Sequence, residues 1–397
     1  MLHVCYGNQL EVLADQLAEH LDSRAVGPLE PELIAVQGHA VSRWLALRLA
    51  TDRGISANNQ MLFPAELLWL LFRRVLPEDV PPFNGFSAQT LAWRVLALLQ
   101  SEQFGSGYAA LAHYLETASP ISQWQLAERL GRQFEQYLIY RPDWIHRWES
   151  GGDTHWQAAL WRRLLATGDD RHWLNLRARL VEVMAQEPAA ADRLPARISL
   201  FGLPSLSEVY LGILQTVAAY CDVRIYALNY SSVFWADIVS DKERTRRALS
   251  AQSGLADYME TGNSLLASLG RQGRAYFGQL LELDALDEEV FHPPVSNTLL
   301  GQIQSDIFYL REGGDEGAQR EVEPSDDSIQ IHVCHSPMRE VEGLHDRLLD
   351  QFDRQPDLDP AEVLVLVPDI ETYTAYIEAV FGSLTDDRRI PFRIADC

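Results

Sequence analysis

Lysine is nearly missing from this chain: among 397 residues only Lys242 carries an ε-ammonium, in Ser240-Asp241-Lys242-Glu243. A phosphate loop needs Gly-Lys-Ser/Thr, so that backbone amides and an ammonium together hold the β- and γ-phosphates, and Lys242 has none of that context. A metal nuclease of the Asp…Glu-x-Lys type is excluded as well, because Ser240 stands where the carboxylate is required. Cysteine is sparse too. Cys5, Cys221, Cys334 and Cys397 are scattered with no C-x-x-C pair, which fits reduced thiols in a cytoplasm. No uninterrupted apolar stretch is long enough to span a membrane, and Met1–Tyr6 resembles a first strand with no basic n-region before it.

Positive charge is short overall, at a net −23, but the deficit is uneven. Residues 1–200 hold 18 Arg and no Lys against 22 acids, whereas residues 201–397 hold 15 basic against 34 acidic. That balance is unpromising for a nucleic-acid binder, and a DNA contact, if there is one, belongs in the first half. There Arg129, Arg132, Arg141, Arg147, Arg162, Arg163, Arg171, Arg177 and Arg179 fall within one helical region, where pairing with nearby acids on solvated faces is the competing reading.

The chain is organised around Glu32–Ala50. Leu33-Ile34-Ala35-Val36 is the continuous apolar run of a strand buried on both faces, and it stops at Gln37-Gly38-His39. A helix over Ala40–Ala50 follows, with Val41, Trp44, Leu45 and Leu49 on its inner face and Arg43 off that stripe. Before it come a strand at His3–Tyr6, the turn Gly7-Asn8 and a helix over Gln9–Leu21, which is a phosphate loop in outline only. The βαβα start predicts a parallel, doubly wound α/β sheet, and in such sheets ligands bind beyond the carboxyl ends of the strands. Gln37, His39 and Arg43 cluster at one such end.

Residues 54–63 read as a loop leading to a helix that starts at Pro64 and carries Trp69, and the Pro/Gly-rich segment 77–86 is the first candidate boundary. From Ser87 to about Arg193 the patterns are helical only, with stripes over Ala88–Gln100, Leu111–Leu115, Trp124–Ile139, Trp156–Ala166 and Leu174–Ala185. This insert holds seven of the ten tryptophans: dense enough for stacking platforms under unpaired bases, though filling a bundle core is their commoner use. Arg197–Phe201 resumes the β pattern and ends in Gly202-Leu203-Pro204, which cannot ligate magnesium as a strand end in an active ATPase would. A helix over Leu206–Tyr220 and a strand over Asp222–Leu228 complete the first sheet, a Gly-interrupted helix pair spans Leu265–Leu283, and Leu310–Asp327 is an acidic, Gly-rich linker.

A last unit starts at Ser328, with strands expected at Ile329–Val333, Val363–Val367 and from Phe392, and helices at Arg339–Phe352, capped by Ser336, and Tyr373–Phe381. A β-α-β-α-β run that stops there reads as half a domain, so a longer protein is expected. His332-Val333-Cys334-His335 invites a zinc reading, yet alternation puts His335 on the opposite face from His332 and Cys334, and no further ligand cluster lies nearby. No metal, cofactor or catalytic group is expected from these residues.

Several segments carry a family resemblance. Ile331–Glu342 (IHVCHSPMREVE) with Leu344–Leu349, and Tyr376-Ile377-x-x-Val380-Phe381-Gly382-Ser383, resemble the RecC family, the gamma chains of exodeoxyribonuclease V, the RecBCD enzyme. Pro31–Trp44 (PELIAVQGHAVSRW), Gln136–Trp144 (QYLIYRPDW), Asn297–Leu300 and Ile303–Ile307 agree with it in the same order. The resemblance implies an inactive superfamily 1 helicase-like, RecA-type domain 1A at residues 1–86 and 195–327, a helical insert 1B at 87–194, and the start of a second RecA-like domain 2A at 328–397. It also implies a cytoplasmic, non-catalytic DNA-binding and scaffold subunit with no cofactor. Such a subunit holds the RecB and RecD motors, binds DNA ends and single strands, touches no membrane, and scans the 3′-ended strand for Chi in double-strand break repair. Family positions lining that strand fall on Gln37, His39, Arg43, Phe63, Trp69, Gln133, Glu135, Gln136 and Arg141. His39 stands where the enteric pattern has Thr, Arg43 where it has Gln, and Arg132-Gln133 where it has Asp-Leu, so any sequence read here is expected to differ from the enteric Chi octamer. Two other classes remain: an AddB-like helicase–nuclease subunit, against which the absent phosphate loop counts, and a pure protein-interaction scaffold.

Overall fold

The computed structural model describes residues 1–23, 27, 29–101, 108–166, 169–240, 242, 245, 262–313, 321–383 and 388–394. The charged run 241–244 apart from Lys242, residues 314–320 of the acidic linker, and Ala395 at the expected end of the last strand lie outside them.

Six strands, β1 (Leu2–Gly7), β2 (Glu32–Val36), β3 (Asn59–Leu62), β4 (Arg197–Phe201), β5 (Asp222–Leu228) and β6 (Leu286–Glu289), form one sheet in the order β3-β2-β4-β5-β1-β6. Every pairing is parallel. Alternate residues of the apolar runs serve opposite faces. Leu33, Ala35, Ile198, Leu200, Val223 and Ile225 meet α3 (Pro64–Val75), α9 (Trp173–Gln186), α10 (Glu208–Ala218) and α12 (Arg271–Leu281). Ile34, Val36, Phe201 and Tyr226 meet α1 (Leu10–Ser23) and α2 (His39–Arg53) on the other side. Burying each large apolar side chain contributes about 1.5–3 kcal/mol. A one-residue slip would exchange the two sets, so register is strongly specified.

The two strands that the sequence pattern did not reveal are the sheet's edges. Asn59-Gln60-Met61-Leu62, read as loop, pairs with β2 from Glu32↔Asn59 to Ala35↔Leu62. Leu286-Asp287-Glu288-Glu289 pairs with β1 and is exposed along its length. Edge strands need no apolar run, and charge on an edge discourages further pairing.

The amino ends of the strands are locked by ions. Arg197 forks onto both oxygens of Glu32, one at 2.7 Å, and also donates to His20 O at 2.9 Å and Leu21 O at 3.0 Å. His20 in turn stands 3.5 Å from Asp222. One guanidinium thus ties the start of β4 to the start of β2 and to the end of α1.

Between α3 and β4 the chain is helical: α4 (Ala88–Leu99), α5 (Ala109–Thr117), α6 (Pro120–Tyr140), α7 (Pro142–Glu149), α8 (Trp156–Ala166), then α9. Ser87 caps α4 by accepting from Thr90 N, and Ser119 caps α6 by accepting from Ser122 N, with Pro120 at its first turn. The two helices approach closely at Gly131, where a Cβ would come within 2.5 Å of Ala88 O. Trp148 and Trp161 are buried with Phe86 and Phe134, so these tryptophans are core. Trp161 Nε1 donates to Glu149 Oε1, which His172 Nε2 also meets. Burial raises that carboxyl's pKa, but the hydrogen bonds from His172 and Trp161, together with the electrostatic pull of His172 and His146, hold it below the ordinary value. Trp93, by contrast, is 64% exposed, tilted against Trp124 at 4.4 Å. Helix α9 joins both cores, with Leu174 in the helical one and Leu176, Leu180 and Val183 against the sheet.

The chain divides into two compact units, residues 1–295 with 302–319, and residues 296–301 with 320–397. In the second, α14 (Pro337–Arg354), capped by Ser336, and α15 (Ile370–Phe381) pack around Val341, Phe381 and Ile390. The strands expected at Ile329–Val333 and Val363–Val367 are not formed, and residues 391–394 show none. Ile331, Val333, Leu364 and Leu366 are 80–95% exposed. Alternation marks a segment that can lie in a sheet, but a ladder needs a neighbour about 4.8 Å away, and among the described residues these segments have none.

Candidate nucleic-acid interface

Because every strand is parallel, all six carboxyl ends share one rim. At β2 the chain leaves the sheet through Gln37 and Gly38, and α2 begins at His39 with no side chain capping its first N–H groups. Pairing of Ala35 with Leu62 sets the exit of β2 beside that of β3, which brings His39 edge-on to Phe63, with centroids 5.0 Å apart at 72°. Phe63 sits at the head of α3, its N–H donating to Glu66 Oε2 at 2.9 Å. Gln37, His39 and Arg43 are exposed, Phe63 is half-buried, and Arg43 has no carboxylate partner among the described residues. The group therefore combines an amide, an imidazole, an aromatic edge and an uncompensated guanidinium. That inventory suits hydrogen bonding and stacking against an unpaired base, and contains no acid–base pair for chemistry.

Trp69 is placed differently. It is half-buried on α3, edge-on to Phe72 at 6.0 Å, and packs against the sheet's core. The other four site residues lie on or just after α6. Glu135 accepts from Ala88 N at 3.1 Å, so it completes the start of α4, while Gln136 is exposed and Gln133 half-buried. Arg141, between α6 and α7, lays its guanidinium over Trp144 at 5.4 Å. No hydrogen bond or ion pair joins this second group to the rim group among the described residues.

Where a phosphate loop would lie, the turn after β1 is closed by its own side chain. Asn8 Nδ2 donates to His292 O and His292 N donates to Asn8 Oδ1, linking the exits of β1 and β6. The exit of β4 is equally unsuited to a metal. Gly202 is left-handed, at φ +60°, and Leu203 is buried in the core. The described residues hold no group of three or more His, Cys, Asp or Glu able to bind a metal ion, and no helix long and apolar enough to cross a membrane. Asn8, which the sequence offers only as a turn residue, is the one whose side chain closes the exit of β1.

The family model described as RecC, N-terminal domain, matches residues 2–310. The chain is 34% identical to RecBCD enzyme subunit RecC of Escherichia coli and 32% identical to that of Haemophilus influenzae, in each case over its whole length and over 39% and 41% of the relatives. It is 30% identical to the subunit of the same name from Mycolicibacterium smegmatis, over 96% of this chain and 34% of the relative. The chain thus spans about two fifths of the length of the relatives it matches.

Proposed function

The chain belongs to the RecC family, and from that premise we propose that it is the strand-guiding, non-catalytic part of a RecBCD-type helicase–nuclease acting in double-strand break repair in the cytoplasm. Residues 1–86 and 195–327 take the role of a helicase domain 1A, with a helical insert 1B at 87–194. Residues 328–397 begin a second RecA-like domain. The strand order, in which β1 lies between β5 and β6 and all exits share one rim, supports the RecA-type reading. The Asn8–His292 closure supports the loss of nucleotide binding. RecB and RecD are the partners, and DNA ends and unpaired strands are the ligands.

One observation carries the proposal: the His39–Phe63 pair at the rim, flanked by Gln37 and by Arg43 without a counter-ion. These residues, with Gln136 and Arg141, read the 3′-ended strand as it passes, and Trp69 and Glu135 support the surface from beneath. Because His39 and Arg43 differ in size and charge from the enteric Thr and Gln, the sequence that halts this protein differs from the enteric Chi octamer. The test is binding and unwinding of a forked DNA end by the full-length protein reconstituted with RecB and RecD. An Arg43→Ala/Arg141→Ala pair is expected to assemble normally but to bind the end at least tenfold more weakly or lose pausing. Unchanged binding and pausing in the pair contradict the placement of the strand.

A further inference from the structure

Just beyond β5, two aromatic rings stand in solvent on a packed aromatic base. The strand ends at Leu228, and Asn229 N donates to Gly7 O at 2.8 Å, which fixes the following turn on the rim that all six exits share. In that turn Tyr230 is 42% and Phe234 56% exposed, whereas Trp235 is buried and donates from Nε1 to Asn229 Oδ1 at 2.7 Å. The exposed rings lean on a stacked pair beneath them. Trp235 and Phe277 of α12 lie 5.8 Å apart at 12°, Tyr230 meets Trp235 at 6.2 Å, and Phe234 meets Phe277 at 6.3 Å. Gly273 lets the first turn of α12 come against them, since a Cβ there would stand 3.3 Å from Tyr230 Cε2. One residue earlier, Gln272 donates to Ser205 Oγ at 3.0 Å, just past the exit of β4. Arg271 beside it is exposed, with no carboxylate partner among the described residues.

We infer that Tyr230 and Phe234 form a second base-stacking station for an unpaired strand, with Arg271 answering its phosphate and the side-chain oxygen of Gln272 at a base edge. This rests on the strand-binding reading above and extends the strand's path along the rim. In the sheet order β3-β2-β4-β5, the exits carry Phe63, then His39, then Ser205 with Gln272, then Tyr230 with Phe234. A ring face accepts any base, and a guanidinium beside it answers the charge of the backbone. The acidic half of the sequence therefore sends an unpaired cation to the same edge as Arg43. An amide, a hydroxyl and this guanidinium beside the rings favour an anionic strand over an apolar protein segment.

The test measures binding of the full-length subunit to oligodeoxynucleotides in which a single abasic site is stepped along the strand. Wild type is expected to lose about tenfold in affinity where the missing base leaves these rings bare. Phe234→Ala or Tyr230→Ala erases that dip, Tyr230→Phe keeps it, and it falls at a different nucleotide from the dip that His39→Ala erases. Arg271→Ala weakens every oligonucleotide alike and lowers the slope of log affinity against log salt by about 0.7. Phe234 is exposed, so its variant tests the contact without disturbing the core, and assembly with RecB and RecD is expected to be unchanged. A flat scan in wild type that still binds strands, a dip that survives Phe234→Ala, or a Phe234→Ala protein that keeps the dip but fails to assemble overturns the station alone. Wild type that binds no strand overturns the reading on which the station rests.

Discussion

Asn8 and His292 exchange two hydrogen bonds, Asn8 Nδ2 to His292 O at 2.8 Å and His292 N to Asn8 Oδ1 at 2.9 Å, across 284 residues of chain. The pair joins the exits of β1 and β6 at the place where a nucleotide-binding relative would cradle phosphates. Asn8→Ala removes both bonds and is expected to cost about 1–2 kcal/mol of stability, with Asn8→Asp, which keeps only the acceptor, in between. Urea unfolding of the three proteins checks the order. Mg-ATP is expected to leave the Tm of wild type unchanged.

Arg197 and Glu32 should behave as a buried pair. Glu32→Ala leaves a guanidinium of 4% exposure without its counter-ion and is expected to cost about 3–5 kcal/mol. Replacing both, as Glu32→Leu with Arg197→Met, is expected to recover most of that loss in the same denaturation assay. A double variant no better than the single would mean that the two backbone carbonyls held by Arg197 matter more than its charge.

His20 makes stability depend on pH. Burial, then Arg224, lower its pKa from the ordinary 6.5 to about 4, against the opposite pull of Asp222. The folded protein keeps the imidazole neutral while the unfolded chain binds a proton below pH 6.5. Its contribution is therefore complete above that pH and is lost as pH falls toward 4, a change of about 3 kcal/mol. The difference in unfolding free energy between wild type and His20→Gln, followed from pH 7.5 to 4.5, is expected to shrink accordingly. A difference constant across that range would contradict the assignment.

The tryptophans separate into two classes that substitution can tell apart. Trp161→Ala empties a fully buried site and strips Glu149 of a donor, for an expected loss of about 3–5 kcal/mol. Trp93→Ala, on the surface against Trp124, is expected to cost no more than about 1 kcal/mol. Guanidinium unfolding monitored by circular dichroism reads both.

These contrasts show where the sequence was legible. Leu33–Val36 and Arg197–Phe201 announce themselves because a strand covered on both faces must be apolar throughout, and α1 and α15 because one face must be. The edges β3 and β6 escape notice because they bury too little to need a pattern. Gln37, His39 and Arg43 follow from the rule that strand exits bind ligands, but the meeting of His39 with Phe63 depends on β3 pairing with β2, which no local pattern predicts. Ile329–Val333 and Val363–Val367 show the reverse error: neither alternation, as in the first, nor a continuous apolar run, as in the second, makes a strand without a pairing partner. For α6, Gln133, Glu135 and Gln136 came from the family resemblance and from no local pattern, and the use of Glu135 to cap α4 is a tertiary contact that the sequence does not show.

Photo-crosslinking decides whether a single strand passes over the rim at β2 and β3. Full-length protein assembled with its partner subunits is loaded on a forked DNA end carrying 5-iodouracil at successive positions of the 3′-ended strand, and crosslinked peptides are identified by mass spectrometry. Crosslinks to His39 and Phe63 at neighbouring nucleotides, weakened by Arg43→Ala, are expected. Crosslinks found only outside residues 37–43, 63 and 133–141 would contradict that path.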